Sequence, residues 1–129
     1  DVIAEIGPGL LIFLGVVIGD TKETAERMAR KTLSIRIFAD EAQAMNLSVV
    51  DVAGSLLVVS QFTLAAETLR GNRPSYSSAM ESDEAERLYE HYIDTLRHET
   101  NRVEMGSFGS EMRVALENDG PVTILLDLE

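Results

Sequence analysis

A polar cluster, Ser60-Gln61-Phe62-Thr63, directly follows the apolar residues 56–59 and leads into an irregular segment. Hydroxyl and amide side chains at the point where a strand leaves the core are candidates for contacting a substrate. A Ser or Thr nucleophile requires a base beside it, and no histidine is near in sequence. The alternative, that these are ordinary polar residues at the end of a strand, stays open from the residues alone.

A second candidate is a pair of arginines, Arg70 and Arg73, which flank Gly71-Asn72 within residues 65–80. Gly, Asn, Pro and Ser recur there without a period, which predicts a long loop. Long ordered loops in compact domains often have functional roles. Guanidinium and backbone groups at this loop are suited to bind a phosphate.

The dipeptide Gly120-Pro121 stands between strong turn chemistry at 118–120 and the strand-like residues 122–126. A proline at this junction removes a backbone donor where strand pairing should begin. We expect such a placement to serve a purpose beyond ending the turn.

The remaining basic and imidazole groups are less specific. Arg27, Arg30 and Lys31 share one face of a predicted helix, where a solvated face and an RNA-facing patch are equally open. His91 and His98 share a face of another predicted helix, and we expect solvated histidines there rather than metal ligands. The sequence contains no nucleophile elbow, His-Glu-x-x-His zinc motif or P-loop.

Two helices are predicted from apolar residues at helical spacing. The first covers residues 21–34, with Asp20 as the N-cap and Glu23 three residues further on. The second covers residues 83–98 and is expected to begin with Ser82 as its cap.

Strands are predicted for the other apolar, β-branched segments, and the segment 10–18 is expected near the centre of a sheet. The further strand candidates are 34–40, 46–64 with a break at Ala53-Gly54, 102–109, 111–118 and 122–127. These elements predict an α+β class, with a β-barrel-like sheet core and two outer helices.

Charge and amino-acid composition argue against several classes of function. The 129 residues include 11 Lys or Arg and 22 Asp or Glu, for a net charge of −11, which argues against broad nucleic-acid binding. A local basic patch that binds one end of an RNA stays compatible with this charge. The absence of cysteine excludes disulfides, thiolate zinc sites and thiol nucleophiles.

A single domain over residues 1–129 and a cytoplasmic location are expected, because no apolar run reaches membrane-spanning length and no signal peptide is recognisable. The final Leu128-Glu129 is interpreted as either native sequence or a remnant of cloning.

Taken together, these segments resemble the D-aminoacyl-tRNA deacylase family, also called D-tyrosyl-tRNA deacylase. Its two signature motifs correspond to "SQFT" at residues 60–63 and to the Asn-x-Gly-Pro-x-Thr pattern at Asn118, Gly120, Pro121 and Thr123. The supporting stretches are "EIGPGLL", "RIFAD", "MNLSV", "GNRPSY" and "GSFGSEM". The resemblance covers the whole chain except that the family's first N-terminal strand is absent, and 110–112 replaces the usual Ala-Asp-Met.

The resemblance implies a homodimeric enzyme without metal or cofactor. It would hydrolyse the ester of D-aminoacyl-tRNA or mischarged glycyl-tRNA, spare L-aminoacyl-tRNA and so protect translation. It implies a cis Gly120-Pro121 peptide, inserted into the partner's active site, whose carbonyl oxygens exclude an L side chain. Asn118 and Thr123 would brace this turn.

The resemblance also implies site residues: catalytic Ser60, Gln61, Phe62 and Thr63, and substrate-binding Arg70, Arg73, Ala79 and Met112 beside the Gly-Pro motif. Backbone N–H groups around Phe62 and Thr63 would stabilise the oxyanion, and the substrate's ribose 2′-hydroxyl would help to position or activate a water. The alternative functions are a catalytically silent RNA- or nucleotide-binding relative and a purely structural dimer module.

Overall fold

The computed structural model describes residues 1–128. Glu129 lies outside the described residues, and the prediction about its origin therefore stays a prediction. Three parallel strands form one sheet in the order β1 (Gly9–Leu14), β2 (Ser55–Ser60) and β3 (Val103–Met105). The carboxyl ends of parallel strands meet at one edge, so the residues that follow β1 and β2 lie next to each other.

The central strand is β2, not β1 as expected. Leu56, Val58 and Val59 are all buried, as both faces of a central parallel strand should be. Strand β1 ends at Leu14 rather than at residue 18, and Val17 makes a single antiparallel bridge to Ala79. Within residues 1–128 the sheet is open, so the predicted barrel-like closure is wrong while the α+β class is confirmed.

Helix α1 (Lys22–Ser34) begins one residue later than the predicted start at residue 21. Thr21 is the N-cap: its hydroxyl accepts a hydrogen bond from the N–H of Thr24 at 3.2 Å, and the Thr24 hydroxyl accepts one from the N–H of Thr21 at 3.2 Å. Asp20 instead accepts a hydrogen bond from the N–H of Val17 at 2.9 Å. The Asp20–Glu23 capping prediction is therefore wrong, because Asp20 closes the preceding turn.

Helix α2 (Ser82–Glu99) also has a different cap from the one predicted. The carboxylate of Glu81 accepts hydrogen bonds from the N–H groups of Asp83 at 2.9 Å and Glu84 at 3.3 Å, so Ser82 is already helical. These two bonds hold the pKa of Glu81 below its ordinary value. A carboxylate at this position also interacts favourably with the positive end of the helix dipole.

The two helices pack against each other and share one core with β2 and β3. The Tyr89 hydroxyl donates to the carbonyl of Val58 at 3.0 Å, and the hydroxyls of Tyr92 and Thr32 lie 2.8 Å apart. Burial raises the pKa of Tyr92 to about 12. The buried members of this core are Ala29, Leu33, Val49, Leu56, Val58, Tyr89, Tyr92, Ile93, Leu96 and Val103.

Several predicted strands are absent from the described residues. The segment 34–40 contributes one bridge, between Phe38 and Leu47, and residues 111–118 and 122–127 form no strand. Residues 111–128 make no backbone–backbone hydrogen bond with any described residue. Their β-branched composition favours extended chain, but a strand also needs a neighbour with which to pair.

Candidate functional site

Ser60 is the last residue of β2, and a short 3-10 helix (Phe62–Ala65) follows at once. The N–H of Gln61 donates to the carbonyl of Leu14 at 2.8 Å, which ties this turn to the end of β1. The first N–H groups of a helix have no acceptor within it. The N–H groups of Phe62 and Thr63 are therefore available to an external acceptor.

These residues form one wall of a cleft of about 590 Å³, named here the strand-end cleft. Residues 60–63 and residues 109–112 both line it. The structure thus brings Met112 to the four predicted catalytic residues. Ser110 and Glu111 also line the cleft, although they were not predicted as site residues. They lie in the "GSFGSEM" stretch beside Met112, and this stretch was the sequence feature that could have identified them.

The side chains of the strand-end cleft offer little acid–base chemistry. The amide of Gln61 donates to the hydroxyl of Thr63 at 3.0 Å, so that hydroxyl already has a partner. Glu111 is the one titratable side chain among the described residues that line the cleft, and no imidazole lines it. A Ser or Thr hydroxyl there has no adjacent histidine to activate it.

The Gly120-Pro121 peptide is cis, and Gly120 has a φ of +136°, a backbone conformation that disfavours residues with a Cβ. Asn118 spans the turn: its oxygen accepts from the N–H of Val122 at 2.9 Å and its amide donates to Thr123 Oγ1 at 3.0 Å. This is the bracing arrangement expected from the sequence. All of these residues except Val122 are exposed.

Gly120 and Pro121 do not line the strand-end cleft of their own chain. They line a wide groove of about 2610 Å³ that adjoins the strand-end cleft, since Glu111, Met112 and Val114 line both. Of the two predicted motifs, residues 60–63 line the strand-end cleft and the Gly120-Pro121 turn of the same chain does not.

Over residues 1–127, the chain matches the family described as D-Tyr-tRNA(Tyr) deacylase. The chain belongs to this family. It is 48% identical to the D-aminoacyl-tRNA deacylase of Photorhabdus laumondii, covering 99% of this chain and 88% of the relative. It is 50% identical to that of Thermosipho melanesiensis, covering 98% and 85%. Both alignments extend over nearly the whole chain, as did the family resemblance found in the sequence.

Two solved structures have a similar fold. A protein described as a c-Myc DNA unwinding element binding protein superposes with a TM-score of 0.88 at 40% identity, covering 95% of this chain and 83% of that one. A probable eukaryotic D-amino acid tRNA deacylase superposes with a TM-score of 0.70 over 82% and 77% of the two chains. At 16% identity, the second likeness shows the fold alone.

Three further residues predicted from the deacylase family lie outside the strand-end cleft. Arg70 and Arg73 are exposed in the loop 65–80, and Ala79 pairs with Val17 where that loop returns to the body. The loop is closed by two hydrogen bonds between Glu67 and Ser75, at 2.7 and 2.9 Å. A role for these three residues in substrate binding stays a prediction.

One helix histidine differs from the expectation. Nε2 of His91, on α2, lies 2.6 Å from Glu26 Oε2 on α1, and its side chain is 30% exposed. The hydrogen bond with His91 lowers the pKa of Glu26. His91 is therefore part of the helix–helix contact rather than a solvated residue, whereas His98 is exposed as predicted.

Within residues 1–128, no helix is long and apolar enough to cross a membrane.

Proposed function

We propose that this protein hydrolyses the ester between a D-amino acid and the terminal ribose of tRNA, releasing the free D-amino acid and tRNA. The observation that carries the proposal is the position of Ser60–Thr63. In a chain of the deacylase family, this motif ends the central strand and forms one wall of a cleft. The proposal treats residues 1–129 as one catalytic domain.

Hydrolysis requires a water that attacks the ester carbonyl and donors that stabilise the resulting oxyanion. The N–H groups of Phe62 and Thr63 supply such donors at the start of the 3-10 helix. The bond between the carbonyl carbon and the ribose oxygen then breaks, and the proton lost by the water goes to the leaving oxygen. The adjacent 2′-hydroxyl of the substrate positions the water, because the Thr63 hydroxyl is hydrogen-bonded to Gln61 and no imidazole lines the described part of the cleft.

The carbonyl oxygens of Gly120 and Pro121 form the wall that selects chirality. A D-amino acid directs only its α-hydrogen towards this wall, whereas an L side chain would collide with it. Glycine passes because it has no side chain, so mischarged glycyl-tRNA is also a substrate. Selection by exclusion is suited to an enzyme that must not consume correctly charged tRNA.

The active site is completed by a second copy of the chain. The Gly120-Pro121 turn does not line the strand-end cleft of its own chain, so we place the turn of one copy in the cleft of the other. Residues 111–128 support this dimer, since Leu116, Ile124 and Leu125 are 55%, 46% and 87% exposed. Pairing with a second copy would satisfy their backbone groups and cover these side chains.

Mixing two damaged variants tests the shared site. Gly120→Ala damages the gate, and Ser110→Trp fills the cleft. A heterodimer of the two contains one site with an intact cleft and an intact gate. After mixing and exchange of subunits, activity on D-Tyr-tRNA should return to about a quarter of wild type, because about half of the dimers are mixed. No recovery between two variants that form mixed dimers would overturn the shared site.

The substrate partner is the 3′ end of tRNA, contacted locally by Arg70 and Arg73 rather than along a broad surface. The reaction needs neither a metal nor an organic cofactor, because water and the substrate hydroxyl supply the chemistry. We place it in cytoplasmic quality control of translation.

A second candidate is a nucleic-acid-binding protein without catalysis. The 40% identical structure described as a DNA unwinding element binding protein favours it. Incubation with D-Tyr-tRNA in excess discriminates the two functions. Multiple turnovers support the deacylase, whereas stoichiometric binding without release of tyrosine supports the second candidate.

A further inference from the structure

Two aromatic rings contact each other at the surface beside the strand-end cleft. The centroids of Phe62 and Tyr76 lie 4.9 Å apart, with the ring planes at 65°. Phe62 is 59% exposed and Tyr76 is 38% exposed. An exposed aromatic pair leaves apolar surface in contact with water, which is typical of a surface that binds something.

The positions of both rings are fixed by the backbone around them. Phe62 belongs to the 3-10 helix that follows β2, and Tyr76 lies near the end of the loop 65–80. The Ser78 hydroxyl donates to the carbonyl of Ala65 at 3.1 Å, and the N–H of Ala79 donates to the carbonyl of Tyr76 at 3.0 Å. The pair is thus held in place before any ligand arrives, which reduces the entropy cost of binding.

The charge around this pair differs from that of the whole chain. Residues 65–80 contain one acidic residue, Glu67, and two basic residues, Arg70 and Arg73, for a net charge of +1. The whole chain has a net charge of −11. A locally positive loop in an acidic protein favours an anionic ligand at this place.

We propose that Phe62 and Tyr76 form a stacking site for an unpaired base at the 3′ end of the RNA substrate, with Arg70 and Arg73 beside its phosphates. Unpaired nucleotides are recognised by stacking on aromatic side chains and by basic groups along the backbone. Phe62 also lines the strand-end cleft, so a base on the pair lies next to the reacting ester. The inference rests on the proposed function and assigns Tyr76 a positioning role in it.

Binding of uncharged tRNA tests the stacking site without requiring catalysis. The probes are an intact tRNA and the same tRNA trimmed of its unpaired 3′ nucleotides. Tyr76→Leu should weaken binding of the intact tRNA by about tenfold and leave that of the trimmed tRNA unchanged. Tyr76→Phe should bind as wild type does, because the ring is retained. Leu69→Ala is the matched control: Leu69 is 91% exposed in the same loop and should have no effect.

Three results would overturn the inference: equal binding of intact tRNA by wild type and Tyr76→Leu, equal weakening by Leu69→Ala, or dissociation of a dimer by Tyr76→Leu. The last would mean that a second copy covers the rings. In deacylation, Tyr76→Leu should raise KM for D-Tyr-tRNA with kcat nearly unchanged. A wild-type protein that binds intact tRNA through Tyr76 but releases no tyrosine would refute the proposed function and leave the stacking site standing.

Discussion

The side-chain amide of Asn118 donates a hydrogen bond to Thr123 Oγ1 across the Gly120-Pro121 turn, at 3.0 Å. The oxygen of the same amide accepts from the N–H of Val122 at 2.9 Å. The exposed side chain of Asn118 therefore restrains both Val122 and Thr123, the two residues that follow the proline. Because the turn is at the surface, we expect this bracing to affect the shape of the proposed gate more than the stability of the core.

Asn118→Ala removes both hydrogen bonds. We expect it to lower kcat/KM for D-Tyr-tRNA by about tenfold, since each such bond is worth on the order of 1 kcal/mol. The melting temperature should change little. Asp119→Ala is the matched control, because this exposed neighbour lies in the same turn, whereas the two bonds across the turn are made by Asn118. Equal losses in the two variants would contradict the bracing role.

Thr63→Ala tests the water mechanism. The Thr63 hydroxyl accepts from Gln61 and has no base beside it, so the variant should keep kcat within about tenfold of wild type. Its backbone N–H, the proposed oxyanion donor, is retained. A loss of more than about a thousandfold with normal folding and tRNA binding would instead indicate a covalent nucleophile.

The affinity for tRNA should depend only weakly on salt. A chain with net charge −11 and a local pair, Arg70 and Arg73, can contact about two to four phosphates, and the slope of log affinity against log salt should match that number. Arg73→Gln should reduce the slope by about one, whereas Arg87→Gln, on α2 away from the loop, should not. A slope that corresponds to about ten phosphates would exclude local recognition.

Stability should fall at alkaline pH because of Tyr92. Burial raises its pKa to about 12, above the ordinary value near 10, so the folded state holds the phenol proton more tightly than the unfolded state. This contribution is complete below about pH 10 and is lost as the pH rises to about 12, for a total of about 3 kcal/mol. Urea unfolding at pH 8, 10 and 11 measures it.

Tyr92→Phe is the comparison for this pH dependence. It removes the hydroxyl that contacts Thr32, whose own hydroxyl still donates to the carbonyl of Met28 at 2.7 Å. The variant should be about 1 kcal/mol less stable than wild type at pH 8, and this difference should shrink or reverse by pH 11. Parallel decreases in the two proteins would assign the alkaline transition to other groups, such as Tyr89.

The helices were predictable from sequence because each contains its own apolar stripe, and their bounds differ from the prediction by one residue or so. The N-cap residues were not predictable from sequence. Asp20 and Ser82 each have a neighbour, Thr21 and Glu81, that can also cap the helix, and the backbone geometry decides which of the two does so. The sheet was predicted less well. Strand propensity cannot reveal that residues 122–127 have no partner within residues 1–128.

The candidate site was predictable where it coincides with a continuous motif. Residues 60–63 and Met112 line one cleft, although Thr63 and Met112 are 49 positions apart in the chain. The contact between the rings of Phe62 and Tyr76 was not predicted, because no periodicity or motif links the two residues. Their contact depends on how the loop 65–80 returns to the body, which single-sequence patterns do not encode.

The central claim is that the Gly120-Pro121 gate lets this enzyme release D- but not L-amino acids. The most direct measurement compares the release of tyrosine from D-Tyr-tRNA and from L-Tyr-tRNA by wild type and Gly120→Ala. A Cβ at residue 120, where φ is +136°, would lie 2.9 Å from Val122 Cγ2, so the gate must shift. We predict release from the D-ester alone by wild type, and a lower rate without any L activity for Gly120→Ala. Equal release from both esters by the wild-type protein, or no release from either by a folded dimer, would contradict the account.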